Sequence, residues 1–243
     1  MTKDNIKKDQ YLENSRDRFD RTIEILRSDI KSINDPVIRD IGGYKYLAQS
    51  IEKHFGKLDI EDLNCGDLNA ESLNMEDSSV DIILLCEVIE HLYNPDKILE
   101  ECNRILKPGG KIVITTPNLV SWYNRILLLL GFFPANQDIS IRLRMTGKRD
   151  ILNKHPMKDA IFNPLHDLHV RLYNLQTLEI LLEEHGFSVE ESRGYIVSDS
   201  YNHKVGIFLN TINSIFRFIP KLSQGLIVKA ALNKTGANKN DRQ

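Results

Sequence analysis

The amino-acid sequence predicts an α/β fold with a doubly wound, mainly parallel sheet. The first observation is that segments typical of strands and of helices alternate along most of the chain. The second is a block of strand, helix, turn and strand between residues 80 and 118. Its two strands, VDIILLCEV (80–88) and KIVITTPN (111–118), are nearly continuous apolar runs, which is typical of parallel strands covered on both faces. The connection between them has the length of a right-handed βαβ crossover.

Composition is that of an ordinary globular protein. The 243 residues can bury a substantial core, and 41% hydrophobic and 27% charged residues are typical values. The formal net charge of −2 gives no reason to expect a nucleic-acid partner. Three cysteines, Cys65, Cys86 and Cys102, lie in or beside apolar segments, which indicates reduced thiols and a cytoplasmic location. The N-terminus lacks the apolar core of a signal peptide, and the longest apolar run, 126–133, is too short to span a bilayer.

The N-terminal segment predicts an amphipathic helix. Apolar residues recur at three- and four-residue intervals from 11 to 33, and Asp35-Pro36 ends the pattern. We therefore assign residues 1–34 to an N-terminal helix that precedes the main domain, 35–232.

Two strands and one helix are expected next. PVIRDIGG (36–43) is typical of a short strand that ends in glycines, and YKYLAQSIEKHFG (44–56) is typical of a helix that ends at its glycine. KLDIEDLN (57–64) is a candidate second strand.

The second half of the chain predicts a helical insertion between two strands. NPDKILEECNRILK (94–107) predicts a helix, and KPGG (107–110) predicts a turn before the strand at 111–118. Residues 119–165 combine an apolar helix with a polar, basic stretch, which indicates an insertion over one end of the sheet. The remaining expected elements are a helix and strand within 174–197, an amphipathic helix closed by Pro220, a final strand at 225–232 and a disordered tail at 233–243.

Candidate site residues follow the predicted strands. In an open parallel sheet, ligands bind beyond the carboxyl ends of the strands, where the strand order reverses. The polar and glycine residues at these ends are Asp40, Gly42, Gly43, Asp62, Asp67, Cys86, Glu87, Thr116 and Asn118.

The central block resembles the class I S-adenosylmethionine-dependent methyltransferases, in particular those similar to types 11 and 23. Residues 76–118 match the family's fourth strand, its EVIEHL loop, the helix after it, the LKPGG turn and the fifth strand. Residues 169–191, HVRLYNLQTLEILLEEHGFSVEE, resemble the later helix and sixth strand. The resemblance implies a Rossmann-like methyltransferase sheet of the seven-strand type, with S-adenosylmethionine as cofactor.

The same resemblance implies a set of cofactor-binding residues. In chain order they are Asp40, Gly42, Gly43, Asp62, Asp67, Leu68, Cys86 and Glu87. The first three would form the glycine loop beside the amino-acid part of the cofactor. The fourth would accept hydrogen bonds from the ribose hydroxyls, the next two would flank the adenine, and the last two would border the methionine portion.

Two members of this set, the ribose-binding acid and the cysteine, need a separate interpretation. Asp59 and Glu61 compete with Asp62 for the ribose position, because all three are acids of the second predicted strand. Cys86 is interpreted as a small buried hydrophobe and not as a reactive thiol.

The sequence departs from the family pattern in two places. Tyr44 and Tyr46 occupy the second and third glycine positions of the loop, where a positive φ would strain a tyrosine, so Gly43 is expected to supply the turn. Only four residues separate Asp62 from Asp67. The helix usual between the second and third strands has no room there, so the third strand is expected to be missing or shortened.

Carboxylates and imidazoles cluster around the EVIEHL loop. Glu87, Glu90 and His91, with His166 and His169 downstream, are residue types that suit a divalent metal. Family members without a metal also carry this loop, so no metal is expected. His91 and His169 are instead the candidate catalytic residues, as general bases toward a substrate hydroxyl.

Two apolar segments allow several interpretations. SWYNRILLLLGFF (121–133) and VGIFLNTINSIFRFIP (205–220) are interpreted as core or as the surface of a homodimer. Together with the basic stretch IRLRMTGKR (141–149), they also suit a lid over an amphipathic substrate or a peripheral contact with a membrane or lipid.

The leading functional hypothesis is methyl transfer from S-adenosylmethionine to a hydroxyl of a sugar, lipid or other small-molecule acceptor. The alternative is a methyltransferase-like partner or scaffold protein that has lost cofactor binding, because Tyr44 and Tyr46 interrupt the glycine loop.

Overall fold

The computed structural model describes residues 3–42, 45–63, 67–135, 137–138, 140, 168–197 and 211–233. Its principal helices are α1 (Lys3–Ser32), α2 (Lys45–Phe55), α3 (Pro95–Ile105), α4 (Trp122–Leu129) and α5 (Leu175–Glu184). Its strands are β1 (Val37–Ile41), β2 (Asp59–Leu63), β3 (Val80–Cys86), β4 (Leu106–Pro117), β5 (Phe187–Tyr195) and β6 (Gly225–Leu232). A short 3₁₀ helix, Ile89–His91, follows β3.

The strands form one sheet in the order β2-β1-β3-β4-β6-β5. Parallel pairing joins β1 to β2 and β3, and joins β3 to β4, whereas β6 runs antiparallel between β4 and β5. The prediction of a mainly parallel α/β sheet is confirmed. Within the described residues the sheet ends at β2, and the described residues between β2 and β3 form no strand.

Strand β3 divides the core between the two faces of the sheet. All seven of its residues are buried, and successive side chains point to opposite faces. Ile83 and Leu85 pack in one apolar cluster with residues of α3 and α5, whereas Ile82 and Leu84 pack in a second cluster with residues of α1 and α2. Helices therefore cover both faces, which explains the uninterrupted apolar run in the sequence.

The predicted KPGG turn lies inside a strand. Strand β4 runs through these residues without a break, but its pairing with β3 shifts between Val80 and Ile82. Gly109 has a φ of +81° in the same stretch. The glycine therefore lets the chain absorb extra residues as a bulge, and the strand continues instead of ending in a turn.

Helix α1 lies within the predicted residues 1–34 and packs on the same sheet. Its buried apolar residues are Phe19, Ile23, Ile25, Leu26 and Ile30. Asp29 Oδ2 accepts a hydrogen bond of 2.7 Å from Lys229 Nζ on β6. The division of the chain into 1–34, 35–232 and 233–243 stays a prediction.

The predicted insertion is described only in part. Helix α4 and short stretches up to residue 140 are described, whereas 141–167 and the tail at 234–243 lie outside the described residues. Leu129 and Leu130 at the end of α4 are 86% and 64% exposed, so the interpretation of this segment as core is wrong for these two residues. None of the described helices combines the length and the apolar character that crossing a membrane requires.

A pair of leucine truncations tests the packing of α5. Leu182 is fully buried, whereas Leu129 in α4 is exposed. We expect Leu182→Ala to lower the free energy of unfolding by roughly 2–5 kcal/mol because it leaves a cavity. We expect Leu129→Ala to change it by less than about 0.5 kcal/mol. Urea denaturation measures both, and equal effects of the two substitutions would contradict this packing.

Candidate functional site

Four parallel strands end at one edge of the sheet. In the register of the strands, Asp40 of β1 pairs with Asp62 of β2, and Cys86 of β3 pairs with Thr115 of β4. Residues from distant parts of the sequence therefore meet at this edge, where a ligand of an open parallel sheet binds.

The turn after β1 depends on Gly42. Its φ is +86°, and a Cβ at this position would collide with Cγ2 of Val88. Glycine is required both by the backbone conformation and by the close approach of the segment after β3. Gly43 and Tyr44 lie outside the described residues. Tyr46 lies in α2 without a positive φ and packs against the core, so the strain expected at the third glycine position does not arise.

Asp40 is a buried acid at the end of β1. The residue is 2% exposed, and burial, followed by repulsion from Asp62, raises the pKa of its carboxyl to about 7. Within the described part of the chain, this carboxyl has no hydrogen-bond or ion-pair partner. A cationic group of a ligand would favour its charged form.

The structure distinguishes Asp62 from its two competitors. Arg39 Nη1 lies 3.0 Å from Asp59 Oδ1, and Arg39 Nε lies 3.5 Å from Glu61 Oε2. Asp62 points to the other face of β2 because side chains alternate along a strand, and its side chain is exposed. The two competitors are therefore engaged by an arginine, and Asp62 is accessible beside Asp40.

The segment after β2 is fastened to the segment after β3. Asp67 Oδ1 accepts hydrogen bonds of 2.9 Å from the backbone and side-chain nitrogens of Asn69. The side-chain oxygen of Asn69 in turn accepts hydrogen bonds from the backbone N–H groups of Tyr93 and Asn94. Leu68 is partly buried against the core. These bonds hold Asp67 and Leu68 beside the loop that follows β3.

Cys86 ends β3 as a buried residue. Burial, the largest cause, raises the pKa of its thiol well above the ordinary value. A thiol that resists deprotonation is a poor nucleophile, which agrees with the interpretation of Cys86 as a small hydrophobe.

Glu87 has a left-handed backbone conformation directly after β3, with a φ of +54°. Its Oε1 accepts hydrogen bonds from Thr115 Oγ1 at 2.9 Å and from Tyr195 OH at 2.8 Å. Its Oε2 forms an ion pair with Arg18 Nη1 at 2.9 Å. A non-glycine residue in this conformation is strained, and contacts from three other elements hold it there.

Sequence reasoning missed Arg18 and Tyr195. Both are buried, and both reach Glu87 from elements outside the central block. The sequence held one signal for Arg18. This charged residue comes directly before Phe19, which belongs to the apolar face of the predicted N-terminal helix. No comparable signal marks Tyr195, whose position depends on how β5 pairs with β6.

Glu90 is a fully buried carboxyl next to the same edge. Its Oε2 accepts a hydrogen bond of 3.1 Å from Thr116 Oγ1, and its Oε1 has no hydrogen-bond partner among the described residues. Burial, with the negative charge of Glu87 as the second cause, raises the pKa of Glu90 well above its ordinary value.

The two predicted catalytic histidines lie together. The ring centroids of His91 and His169 are 4.9 Å apart, and His91 Nδ1 lies 2.9 Å from the carbonyl oxygen of Leu168. One ligand atom from each of Glu90, His91 and His169 lies within 4.8 Å of the other two. His166, the other predicted member of this cluster, lies outside the described residues.

The central part of the chain is similar to a known family and to several curated proteins. Residues 44–114 match the family described as a methyltransferase domain. A probable S-adenosylmethionine-dependent methyltransferase of Mycolicibacterium smegmatis is 29% identical over 126 residues, which cover 52% of this chain and 35% of that protein. The ubiquinone biosynthesis O-methyltransferase of Parvibaculum lavamentivorans is 43% identical over 109 residues, which cover 40% of this chain and 43% of that protein. The matched regions span less than half the length of these relatives.

Solved structures of methyltransferases also align with the chain. A SAM dependent methyltransferase from Archaeoglobus fulgidus aligns with a TM-score of 0.48 and 18% identity over 91% of this chain and 98% of that chain. Another from Aquifex aeolicus aligns with a TM-score of 0.43 and 14% identity over 86% of this chain and 89% of that chain. Both TM-scores are below 0.5, so the assignment of the fold rests on the strand order described above and not on these alignments.

The buried carboxyl of Asp40 predicts a pH dependence of stability. Its pKa is raised from 3.8 to about 7 in the folded chain, so the folded state binds more protons than the unfolded state between these values. We expect the free energy of unfolding, measured without ligands, to fall as pH rises from about 4 to 7, by at most about 1.4 kcal/mol per pH unit from this group. Asp40→Asn should make this decline of the free energy of unfolding with pH shallower. Asp20→Asn, at an exposed position of α1, should leave the decline unchanged. Indistinguishable profiles for Asp40→Asn and the unmodified protein would contradict this assignment.

Two arginines of α1 provide a matched test of the Glu87 contact. The Arg18 side chain is 9% exposed in its pair with Glu87, whereas that of Arg16 is 80% exposed in its pair with Asp20. We expect Arg18→Met to lower the free energy of unfolding by roughly 3–5 kcal/mol, because it leaves a mostly buried carboxylate without its cation. Arg16→Met should cost less than about 1 kcal/mol. Thermal unfolding compares them, and a loss for Arg18→Met no larger than for Arg16→Met would show that the ion pair does not hold the turn.

Proposed function

We propose that this chain, which carries a class I S-adenosylmethionine-dependent methyltransferase domain, methylates a hydroxyl of a small-molecule acceptor. One observation carries the proposal: the accessible Asp62 lies in register with the buried Asp40 beside the Gly42 turn. This arrangement supplies a carboxylate for ribose hydroxyls and a second carboxylate for a cationic amino group.

The residues present fit the cofactor. Asp40 lacks a cationic partner among the described residues, and the amino group of the cofactor's methionine part would provide one. Asp62 would accept hydrogen bonds from the ribose hydroxyls, while Asp67 and Leu68 would flank the adenine. Cys86 and Glu87 would border the methionine part, and the fixed side chain of Glu87 would keep that wall in place through its contacts with α1, β4 and β5.

The acceptor would lie on the side of the two histidines. S-adenosylmethionine supplies a methyl group on a sulfonium centre, and the sulfur keeps the electron pair of the broken bond when the acceptor oxygen takes the methyl group. Direct alignment of donor and acceptor is the main requirement of such a transfer. His91 and His169 are proposed to act on the acceptor hydroxyl, where an imidazole nitrogen takes up the proton that the oxygen loses.

The acceptor class is proposed as a sugar, lipid or other small metabolite. Some relatives are named ubiquinone biosynthesis O-methyltransferases, which supports methylation at oxygen. The exposed apolar side chains at the end of α4, Leu129 and Leu130 among them, support an acceptor with an apolar part or a lipid contact. A homodimer and a cytoplasmic location stay predictions.

The alternative of a non-catalytic partner or scaffold loses part of its basis. It rested on Tyr44 and Tyr46 in the glycine loop, and Tyr46 belongs to helix α2. The positive φ that the turn needs is supplied by Gly42.

Calorimetry with S-adenosylhomocysteine, the demethylated product, tests the proposal. We expect saturable binding to the full chain, and we expect Asp62→Asn to weaken it by about tenfold or more, because hydrogen bonds to a charged group contribute roughly 1.5–3 kcal/mol. Asp59→Asn is the matched control, since it changes the neighbouring aspartate that pairs with Arg39, and it should leave the affinity unchanged. Absence of binding at about 1 mM product would contradict the enzymatic proposal. The same result would favour the non-catalytic alternative.

A further inference from the structure

Exposed apolar side chains concentrate on two segments of the chain, 126–133 and 215–219. The apolar surface, as we call it, consists of the large exposed residues Ile126, Leu128, Leu129, Leu130, Phe133, Ile215, Phe218 and Ile219. Elsewhere in the described chain such residues are few, namely Tyr93, Ile180 and Val197. Single exposed apolar residues are normal on proteins, whereas a concentration of them marks an interaction surface.

Hydrogen bonds join the two segments that carry the apolar surface. The backbone N–H of Trp122 in α4 donates to the carbonyl oxygen of Leu222 at 3.0 Å, and Trp122 Nε1 donates to Asn213 Oδ1 at 2.7 Å. Arg125 Nη2 donates to the carbonyl oxygen of Lys221 at 3.2 Å. The two segments therefore form one unit, and their exposed side chains belong to the same region of the protein surface.

Helix α4 has the reverse of the usual amphipathic pattern. Among its residues, all of which are described, Asn124 is the only buried one. Asn124 Oδ1 accepts a hydrogen bond of 2.9 Å from the backbone N–H of Ala135, and its Nδ2 donates to the carbonyl oxygen of Asn118 at 3.3 Å. A surface helix normally turns its apolar face to the core. Here a polar side chain anchors the helix, and leucines face outward.

The charged residues of this unit are all basic. Residues 119–135 and 211–224 contain Arg125, Arg217 and Lys221 and no aspartate or glutamate, although the whole chain has a net charge of −2. Arg217 forms an ion pair with Asp17 of α1. Arg125 and Lys221 are exposed, and neither has a carboxylate within ion-pair distance among the described residues.

These charges favour a lipid surface over a second copy of the chain. A two-fold dimer places the same surface against itself, so Arg125 and Lys221 would approach their own counterparts with no acid of this unit between them. A bilayer with anionic lipids offers hydrocarbon to apolar side chains and phosphate groups to cations.

We infer that the apolar surface docks the protein peripherally on a membrane that contains anionic lipids. The leucine and phenylalanine side chains would enter the boundary between head groups and acyl chains. Arg125 and Lys221 would lie at the level of the phosphates, with their aliphatic stems along the apolar side chains.

The turn after α4 links the apolar surface to the carboxyl edge of the sheet. Asp138 follows Phe133 closely in the chain, and its Oδ2 accepts a hydrogen bond of 3.2 Å from the backbone N–H of His169. The backbone N–H of Asp138 donates to the carbonyl oxygen of His169 at 3.3 Å. An acceptor with an apolar part would then reach the candidate site from the lipid. This consequence rests on the proposed function, whereas the docking itself does not.

Sedimentation of the full chain with lipid vesicles tests the inference. With vesicles of equal parts phosphatidylcholine and phosphatidylglycerol, we expect saturable binding that weakens as the salt concentration rises. Leu129→Gln and Ile215→Gln should each weaken this binding by about tenfold, because each removes an apolar side chain from the lipid. Both side chains are exposed, so urea denaturation should show that both variants fold as the unmodified protein does.

Ile180 on α5 provides the matched control for the apolar contact. It is 52% exposed, compared with 60% for Ile215, and Ile180→Gln should leave vesicle binding unchanged. Absence of saturable binding to the mixed vesicles would overturn the inference. Equal weakening by Ile180→Gln and Ile215→Gln would do the same, because the contact would then not be specific to the apolar surface.

The charge of the lipid is tested separately. Lys221→Gln should weaken binding to the mixed vesicles by about fivefold, whereas Lys53→Gln, at an exposed position of α2, should have a smaller effect. Equal effects of the two substitutions, or equally tight binding to vesicles of phosphatidylcholine alone, would overturn the assignment of an anionic surface.

Two further measurements separate this inference from its rivals. A dimer in sedimentation velocity that Leu129→Gln dissociates, together with no vesicle binding, would overturn the inference in favour of a second copy as the occupant. Calorimetry with S-adenosylhomocysteine tests the proposed function on the same samples. Product binding without vesicle binding would overturn only the docking, and vesicle binding without product binding would retain the docking and remove the enzymatic role.

Discussion

The ion pair between Arg18 and Glu87 is the contact on which the geometry of the carboxyl edge depends. Glu87 follows the central strand β3 in a left-handed conformation, and its carboxylate is held from α1, β4 and β5 at once. The residues that follow include Glu90 and His91, so the direction in which the chain leaves β3 sets their positions. The N-terminal helix thereby acts on the site through one side chain as well as covering one face of the sheet.

The elements that the sequence predicts well are those whose burial follows from a simple periodicity. The apolar run of β3 is typical of a strand that is covered on both faces, and this signal can be read from the residues themselves. The crossover through α3 was predicted from the same block of sequence. The KPGG segment was mispredicted, because a glycine with positive φ can end a strand or bulge it, and only the pairing partner decides which. The choice between Asp59, Glu61 and Asp62 was equally beyond the sequence, since it depends on where Arg39 of the neighbouring strand lies.

The candidate site was predictable in its parts and not in its assembly. Strand ends pointed to Asp40, Gly42 and Cys86, because ligands of parallel sheets bind there. The proximity of His91 to His169 depends on hydrogen bonds between the Glu90 carbonyl and the backbone after His169. No spacing rule predicts that contact, and none predicts that one oxygen of Glu90 is buried without a hydrogen-bond partner among the described residues.

The charges at this edge are complementary to those of the proposed cofactor. Three carboxyl groups, those of Asp40, Glu87 and Glu90, lie near the ends of β1 and β3, and in the described residues only Glu87 has a cationic side chain within ion-pair distance. Buried carboxyls without such a partner shift toward the neutral form, as the raised pKa values of Asp40 and Glu90 indicate. A cofactor with a cationic amino group would supply a positive charge beside Asp40. Without that cofactor, Asp40 is a buried acid whose pKa is raised by burial and by Asp62.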